Sequence, residues 1–344
     1  MNVLSLNLGS SSLKYSVHAV GDGVLQCVLA RNLATSSRPD DAAQTARVAI
    51  ADVLEETGAP DAVGHRIVFG GEHDEPERVT PELLELLEDL QTLDPLHAPG
   101  ALAVLRQAAV SLPSVVQVAC FDTAFFRDLP PLARALPLPA GDPLLRRYGF
   151  HGLSYEHVCR VFGAQLHPRT IIAHLGNGAS AAALENGRPI ATTMAFSPMS
   201  GMIMSTRPGD VDPGALLYLL ERSHLNKRQL RELLENKSGL RALSGGEGDV
   251  RNLCERTDDE AAFAVEMFVR SAAKAMAALA VDLGGVDMLV FTGGIGAHNS
   301  DVRARIVERL AFLNPSAAIE VVEADENASI AHNVAAVAFT GAAP

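Results

Sequence analysis

VLSLNLGSSSLKYSV, residues 3–17, is the stretch that decides the fold of this chain. Its alternating apolar residues predict two strands, Val3–Leu8 and Leu13–Val20, joined by a tight turn. The turn, residues 9–12, combines one glycine with three serines, so it offers backbone N–H groups and hydroxyls. Taken alone, the segment fits either a plain polar hairpin turn or a turn that binds an anion, and both interpretations stay open here.

A second stretch has the same design about half a chain further on. Residues 171–190, IIAHLGNGASAAALENGRPI, again predict a strand, a Gly-rich turn and a strand. Leu6–Ser12 and Ala173–Ala179 share the order strand, Leu-Gly, small or polar turn, strand. A match of this length arises by chance or from shared hairpin chemistry as readily as from duplication. It nevertheless suggests two related halves, each beginning with a hairpin.

The rest of the chain alternates predicted strands with predicted helices. Thr80 is the expected N-cap of one helix, and a capping box at Thr257–Glu260 is expected to begin a long Ala-rich helix that ends at Gly284. Helical spacing also predicts a helix at Asp41–Thr57. The further predicted strands are Val24–Leu29, Ala62–Phe69, Ser114–Phe121 and Val286–Phe291. This alternation predicts the α/β class.

Length and charge limit the class of protein. A chain of 344 residues, 48% of them apolar, is long enough for two domains with separate cores. The net charge of −13 argues against nucleic acid as a partner, because nucleic-acid binding requires a basic surface. An anionic substrate would require a local cationic site against this negative field.

The cysteines and the apolar stretches indicate in which compartment of the cell the protein is expected. The chain has four widely separated cysteines, Cys27, Cys120, Cys159 and Cys254. They lack the spacing of a metal site, and buried thiols of a reduced cytosolic protein are the favoured interpretation. No signal peptide is visible, and no stretch approaches ~18 uncharged apolar residues. These features predict a cytoplasmic protein with no membrane partner.

Glycine-rich segments do not match the common nucleotide-binding motifs. No GxxxxGK[ST] is present, and GIGAHN, residues 294–299, lacks the third glycine of GxGxxG. A Walker-type or Rossmann site is therefore not expected. A hairpin turn can hold phosphate in another way, because glycine admits the ligand and successive N–H groups form an anion-binding nest.

Four charged or titratable residues stand at predicted strand ends or in Gly-rich loops. Arg66 lies in a strand-like run before a glycine pair, and Asp122 ends the strand of FDTAFF. His151 stands between an aromatic residue and a glycine in RRYGFHG, and Arg207 lies in the loop STRPGDVDPG. Each of these alone is more often structural, but their joint placement favours a functional site.

Ten segments in order resemble the acetate kinases, of the acetate and sugar kinase, heat-shock protein and actin superfamily. The segments, which cover nearly the whole chain, are NLGSSSLKY (7–15), GHRIVFGGE (64–72), LDPLHAP (93–99), FDTAF (121–125), RRYGFHG (146–152), HLGNGAS (174–180), FSPMSG and STRPGDVDP (196–213), LSGGEGDVRNL (243–253) and FTGGIG (291–296). No single segment is specific, but together they are.

The resemblance implies a fold, an assembly and a reaction. The implied fold is α/β, with two actin-like (ribonuclease H-like) domains that share a duplicated core and have a cleft between them, in a homodimer. The N-terminal domain would span residues 1–122, completed by 327–344, and the C-terminal nucleotide-binding domain would span 123–326. The implied reaction is reversible in-line phosphoryl transfer from ATP to acetate, giving acetyl phosphate, with Mg²⁺ or Mn²⁺ as cofactor.

The resemblance also implies roles for individual residues. Arg66 and Arg207 match the arginines that hold the carboxylate and the transferring phosphoryl group. Asp122 matches the active-site aspartate, and His151 matches the histidine that stabilises the transition state. Asn7 and, by a looser alignment, Glu326 match the residues of the magnesium site.

The remaining implied residues line the substrates. The residues matching the phosphate side are Ser10, Ser12 and Lys14. Those matching the acyl pocket, beside Arg66, are Val68, Leu96, Phe150 and Pro198. Those matching the nucleotide loops are His174, Leu175, Gly176, Asn177, Gly178, Asp249, Val250, Arg251, Gly294, Ile295, Gly296, Ala297 and His298.

The chemistry makes sense of these residue types. A carboxylate acceptor is already ionised at neutral pH, since carboxyl pKa values lie near ~4–5, so no general base is needed. The difficulty is to bring an anion against a polyanion and to stabilise a charge-spread transition state, which suits arginines, a histidine, a lysine and magnesium. Asp122 is then expected to orient an arginine or a metal-bound water rather than to accept a proton.

Several positions depart from the family pattern. Phe69 and Phe126 stand where the family usually has histidines, and Tyr155 replaces another. Further departures are Ala191, Ser200 and Ala297-His298. They bear on acyl and nucleotide preference more than on the reaction. A kinase for propionate or another short-chain acid is the alternative, and a non-catalytic nucleotide-binding member of the superfamily is a further one.

Overall fold

Two mixed β-sheets form the frame of the protein. The computed structural model describes residues 1–21, 24–139 and 141–339. The strands are β1 (Asn2–Leu8), β2 (Ser12–Gly21), β3 (Val24–Ala34), β4 (Ala62–Ile67), β5 (Glu77–Arg78), β6 (Val116–Phe121), β7 (Arg169–Leu175), β8 (Ala179–Glu185), β9 (Arg188–Thr192), β10 (Met288–Thr292) and β11 (Ala318–Val321).

Thirteen α-helices in the described residues surround these sheets. They are α1 (Pro39–Thr57), α2 (Pro81–Asp89), α3 (Ala98–Ser111), α4 (Pro131–Arg134), α5 (Gly152–Phe162), α6 (Pro213–Arg222), α7 (Lys227–Asn236), α8 (Gly239–Leu243), α9 (Val250–Glu255), α10 (Asp259–Leu283), α11 (Gly293–His298), α12 (Ser300–Leu310) and α13 (Glu326–Phe339). Short 3₁₀ helices lie at Leu90–Thr92, Ala124–Phe126 and Gly163–Gln165. No helix among the described residues is long and apolar enough to cross a membrane.

The two sheets repeat one topology. The first has the order β3-β2-β1-β4-β6-β5 and the second the order β11-β10-β7-β8-β9. In both, three antiparallel strands in chain order are followed by two strands that run parallel to the first of them. This repetition confirms the duplicated core predicted from the two hairpins.

The two hairpins match in register as well as in sequence. Asn7 pairs with Lys14 and Leu8 with Leu13 in the first, while His174 pairs with Ser180 in the second. Each turn is closed at its glycine, since Gly9 N donates to Ser12 O at 2.8 Å and Gly176 N donates to Gly178 O at 2.9 Å. The turn of the first hairpin is one residue longer than the turn of the second.

The chain forms two compact units. The first contains Met1–Arg127, His151–His157 and Asp325–Pro344, and the second contains Asp128–Phe150 and Val158–Ala324. In the first unit, α1 and α3 cover one face of the sheet through a core of Ala, Leu and Val side chains, and α13 covers the other face. In the second unit, α10 packs on β7, β8 and β9.

Some helix ends and strand lengths agree with the predictions from local sequence patterns, and others do not. Thr80 accepts a hydrogen bond from Leu83 N, which confirms it as the N-cap of α2. The capping box predicted at Thr257–Glu260 is wrong, because Asp258 is the N-cap and accepts from Ala261 N. A side chain one residue later therefore satisfies the first turn of α10. Strand β3 runs past the predicted Val24–Leu29, because its polar residues 31–32 lie on an exposed edge strand and break the apolar pattern.

The cysteines are only partly as predicted. All four are free thiols, and Cys120 is buried in β6, where burial raises the pKa of its thiol. Cys27 and Cys254 are exposed, so the expectation of buried thiols is wrong for them. Cys27 lies in the edge strand β3, where an apolar neighbourhood in sequence does not bring burial, and Cys254 lies in the short helix α9 beside the charged Glu255 and Arg256.

Candidate active site

Polar side chains gather where the parallel strands of the first sheet end. Asn7 lies near the end of β1, Arg66 near the end of β4, and Asp122 directly follows β6. Carboxyl ends of parallel strands meet at one edge of a sheet, which explains the meeting of residues far apart in sequence. Asp122 is fixed there by its backbone, since its N–H donates to Ile67 O at 2.9 Å.

Arg66 and Asp122 form a buried ion pair. Nε and Nη2 of Arg66 donate to the same oxygen, Oδ2 of Asp122, at 3.0 and 2.6 Å. The side chains are 12% and 0% exposed. Oδ1 of Asp122 is buried and has no hydrogen-bond partner among the described residues. The arginine fork is thus held in one orientation, and the Leu153 backbone N–H also acts on the Asp122 carboxylate.

Asn7 and Glu326 meet beside this pair. Nδ2 of Asn7 donates to Oε2 of Glu326 at 2.7 Å, and Nη1 of Arg66 donates to Oδ1 of Asn7 at 3.4 Å. Glu326 begins α13, which packs on β1 and β4. The loosely aligned glutamate therefore lies beside the asparagine with which it was matched.

The charges of this cluster are strongly coupled. Burial alone lowers the pKa of the Arg66 guanidinium, but the carboxylates of Asp122 and Glu326 outweigh it and raise that pKa above its usual range. Burial raises the pKa of the Asp122 carboxyl; Arg66 opposes this rise and Glu326 adds to it. Arg66 is therefore a permanent cation in a site from which water is largely removed, where its attraction for a substrate anion is strong.

His151 has an unusual backbone. Its φ is +62°, in the left-handed region that non-glycine residues rarely adopt. It stands immediately before α5, and its carbonyl accepts from the N–H groups of Ser154 and Tyr155 at 3.1 Å each. Such a conformation costs roughly 1–3 kcal/mol and is typically retained where a side chain must be placed for function.

A pair of residues that the sequence reasoning did not single out lies near Arg66. Asp94 is 4% exposed, and its Oδ1 is 2.9 Å from Nδ1 of His97. The Asp94 carboxylate contributes to the raised pKa of Arg66, so it acts on the cluster electrostatically. Both residues lie within LDPLHAP, but the resemblance implies a role there for Leu96 alone. The spacing of three residues between an acid and a histidine was the sequence signal that could have indicated this pair.

The first hairpin turn is open to ligand. Ser10 and Lys14 are exposed and Ser12 is half-buried. Val68 and Leu96, the acyl-pocket candidates of this unit, are buried and half-buried respectively. These residues belong to the same unit as the Arg66–Asp122 pair.

In the second unit, the second hairpin turn is mostly backbone and glycine. His174 is 9% exposed and Leu175 is fully buried, whereas the turn residue Asn177 is exposed. Asn177 O accepts from Ser205 N at 3.1 Å, which ties the turn to the loop containing Arg207. Nη1 of Arg207 donates to Pro198 O at 2.6 Å, so these two candidates do lie together.

The other nucleotide candidates begin helices. Asp249 caps α9 by accepting from Arg251 N at 2.8 Å, and its carboxylate also pairs with the Arg251 side chain at 2.6 Å. Val250 is buried beneath them. Residues 294–298, expected in a nucleotide loop, form most of the short helix α11 instead. The preceding glycine, Gly293, has φ +77°, and a Cβ there would lie 2.6 Å from Leu175 O, so this turn requires glycine.

Comparison with known proteins finds similarity over nearly the whole chain. Residues 2–339 match the acetokinase family. An acetate kinase of Rhodopseudomonas palustris is 39% identical over 361 residues, covering 95% of this chain and 89% of that protein.

Solved structures agree. An acetate kinase of Porphyromonas gingivalis superposes with a TM-score of 0.82 at 31% identity, covering 98% of this chain and 99% of that one. A propionate kinase from Francisella tularensis has a TM-score of 0.85 at 27% identity, with 96% and 98% covered. The similarity over both chain lengths confirms the predicted actin-like α/β fold.

Proposed function

The chain belongs to the acetokinase family, and from this premise we infer that it is a kinase that transfers the γ-phosphoryl group of ATP to the carboxylate of acetate. The reaction is reversible and gives acetyl phosphate and ADP. The observation that carries the inference is the buried Arg66–Asp122 pair, because it provides an oriented cation for anions in a protein whose net charge is −13.

The proposed catalytic residues fit a transfer without a general base. Acetate is already ionised, so no group has to remove a proton from it. Oδ2 of Asp122 accepts two N–H groups of Arg66, which supports a role for this aspartate in orienting the arginine. Arg66, His151 and Arg207 are proposed to stabilise the charge that spreads over the phosphoryl oxygens in the transition state.

The oxygen atoms at the site fit a magnesium ion. Asn7 and Glu326 lie in contact, and Asp122 has a buried oxygen without a partner among the described residues. Amide and carboxylate oxygens are the ligands that Mg²⁺ prefers, usually together with substrate phosphates. Asn7 and Glu326 are proposed to hold the ion, which when bound neutralises phosphate charge.

The substrates are proposed to divide between the two units. Ser10, Ser12 and Lys14 would contact the phosphates, and Val68, Leu96, Phe150 and Pro198 would contact the acyl group. Adenine nucleotide would bind at residues 174–178, 249–251 and 294–298. The sequence predicts domains at 1–122 with 327–344 and at 123–326, whereas the compact units place residues 123–127, 151–157 and 325–326 with the first sheet. We propose that the protein is a cytoplasmic homodimer.

The direct test is ATP-dependent formation of an acyl hydroxamate with acetate, propionate and butyrate. Acetate is expected to give the highest kcat/KM. Preference for propionate is the second candidate, favoured by the likeness to a propionate kinase structure, because one methylene changes binding by only ~1–3 kcal/mol. Absence of product with every acid, in folded protein that binds ATP, would favour a non-catalytic member of the superfamily.

A further inference from the structure

Three aromatic rings pack together directly behind the Asp122–His151 region. The ring centroids of Phe125 and Phe126 are 5.2 Å apart at 89°, and those of Phe126 and Tyr155 are 5.8 Å apart at 82°. Phe125 and Tyr155 complete the triangle at 5.8 Å. Phe126 and Tyr155 are 2% and 0% exposed. Two of the three ring pairs are edge to face, and the third is tilted at 37°. This aromatic packing joins the segment after Asp122 to the first turn of α5.

A glycine makes the second connection between the same segments. Gly152 N donates to the backbone oxygen of Asp122 at 3.0 Å. A Cβ on Gly152 would lie 2.1 Å from that oxygen and 2.7 Å from Cβ of Phe125. Only glycine permits this approach, and the approach fixes the residue that precedes it, His151.

His151 is therefore held through its C-terminal neighbours. On its C-terminal side, Gly152 is bound to Asp122, and its own carbonyl accepts from Ser154 and Tyr155 N–H groups. Its φ of +62° is maintained by these contacts. Asp122 in turn fixes Arg66 through its carboxylate. Asp122 thus links the two residues: its backbone oxygen binds the neighbour of His151, and its side chain binds Arg66.

We propose that Phe125, Phe126, Gly152 and Tyr155 form a histidine clamp, a set of positioning residues that hold His151 in register with the Arg66–Asp122 pair. The inference rests on the proposed function, since it deepens the role of His151 there. Phe126 and Tyr155 stand at positions where the family pattern has histidines. In this chain they contribute rigid apolar packing behind the site rather than further imidazoles.

The test compares Tyr155→Leu with Tyr155→Phe. Tyr155→Leu removes a ring from the clamp, and kcat is expected to fall about 100-fold, the usual effect of displacing a reacting group by about 1 Å. KM for ATP stays within threefold. Tyr155→Phe keeps the ring and is expected to retain kcat within threefold. Phe268→Leu is the matched control, because Phe268 is also fully buried but lies in α10; it is expected to lower Tm while leaving kcat unchanged.

A second readout does not depend on turnover. In protein with ¹³C-labelled histidine, the His151 imidazole signal, assigned by its loss in His151→Gln, is expected to shift in Tyr155→Leu and stay in place in Phe268→Leu. Gly152→Ala is expected to shift it further, or to leave no folded protein, in which case Tyr155→Leu decides.

Two results would overturn the clamp. One is a folded Tyr155→Leu protein with wild-type kcat and an unmoved His151 signal. The other is that Tyr155→Leu and Phe268→Leu lower kcat by the same factor at equal Tm. If the wild type forms no acyl phosphate, the proposed function fails, and the histidine signal still decides whether the clamp positions His151.

Discussion

The two sheets share one topology but carry different chemistry at the same strand positions. Registers align Asn7 of β1 with His174 of β7, and Arg66 of β4 with Thr292 of β10. At the end of the first sheet, a buried arginine and carboxylates meet; at the end of the second, a neutral threonine leads into the glycine-rich helix α11. The duplicated sheets thus differ at corresponding ends: the first presents side-chain charge, and the second presents closely approaching backbone.

This difference agrees with what the proposed ligands would require. Burying a guanidinium is tolerated only when carboxylates pair with it, so the first sheet needs several charged residues together. A polyphosphate with a large nucleoside needs space and N–H donors, which small residues provide. Substitutions in the two sheets can test whether the charged residues at the first sheet's edge have a catalytic importance that those of the second sheet lack.

The largest effect is expected from Arg66→Lys. Lysine keeps the charge but lacks the planar fork that donates two N–H groups to Oδ2 of Asp122, so the cation loses its orientation. Steady-state kinetics should show kcat/KM for acetate about 1,000-fold lower, within the range seen when an oriented donor is removed.

The second unit offers a matched control for this substitution. Arg169 also binds an aspartate with two N–H groups, Nε at 3.0 Å and Nη2 at 2.5 Å from Asp287, but the arginine is 41% exposed. Arg169→Lys should leave kcat/KM within threefold. Equal losses in the two variants would show that the first sheet's pair has no special catalytic importance.

The next effect concerns Arg207, in the second unit. Arg207→Ala is expected to lower kcat about 100-fold while KM for ATP stays within threefold, because the side chain is proposed to act on transition-state charge. Arg251→Ala serves as the contrast: its exposed pair with Asp249 lies in a segment that we propose to bind the nucleotide, so KM for ATP should rise with kcat retained. Near-normal turnover in Arg207→Ala would remove its catalytic assignment.

The frame could be predicted because it depends on local patterns. Alternating residues around Gly9 and Gly176 identified both hairpins, and their similarity indicated the duplication that the sheets confirm. The short helix α11 was missed, because a run of glycines has the same appearance in a turn and in a helix end.

The site was predictable only through resemblance, since its contacts join distant parts of the chain. Nothing local indicates that Glu326 reaches Asn7, or that Asp94 acts on Arg66. Nor does a local pattern show that Phe126 and Tyr155 pack against each other. Tertiary packing decides these contacts, and they determine how rigid the site is.

The third prediction concerns the pH dependence of folding stability, and it compares corresponding positions of the two sheets. His65 of β4 is buried and hydrogen bonds to Gln117, and its register counterpart in β10 is Phe291, which does not titrate. Burial lowers the pKa of His65 to about 4. Between this value and the ordinary ~6.5, the unfolded chain binds a proton that the folded chain does not, so stability falls as pH falls through that window.

The measurement is urea unfolding at pH 7 and pH 5. His65 should account for about 2 kcal/mol of the loss in unfolding free energy between them, at ~1.4 kcal/mol per pKa unit. His65→Gln, which keeps a donor for Gln117, should remove that part of the pH dependence. An unchanged difference between the two pH values in this variant would assign the acid sensitivity to other groups.

The smallest effect is expected at the register counterpart of Arg66. Thr292 is fully buried, and its hydroxyl has no hydrogen-bond partner among the described residues. Thr292→Val removes this unpaired group with little change in shape, so the free energy of unfolding should rise by about 1 kcal/mol in urea melts. Kinetics decide the comparison: unchanged KM for ATP would show that the second sheet works through backbone at this position. A raised KM for ATP without a gain in stability would mean that the Thr292 hydroxyl binds the ligand. Side chains would then serve the substrates at corresponding positions of both sheets.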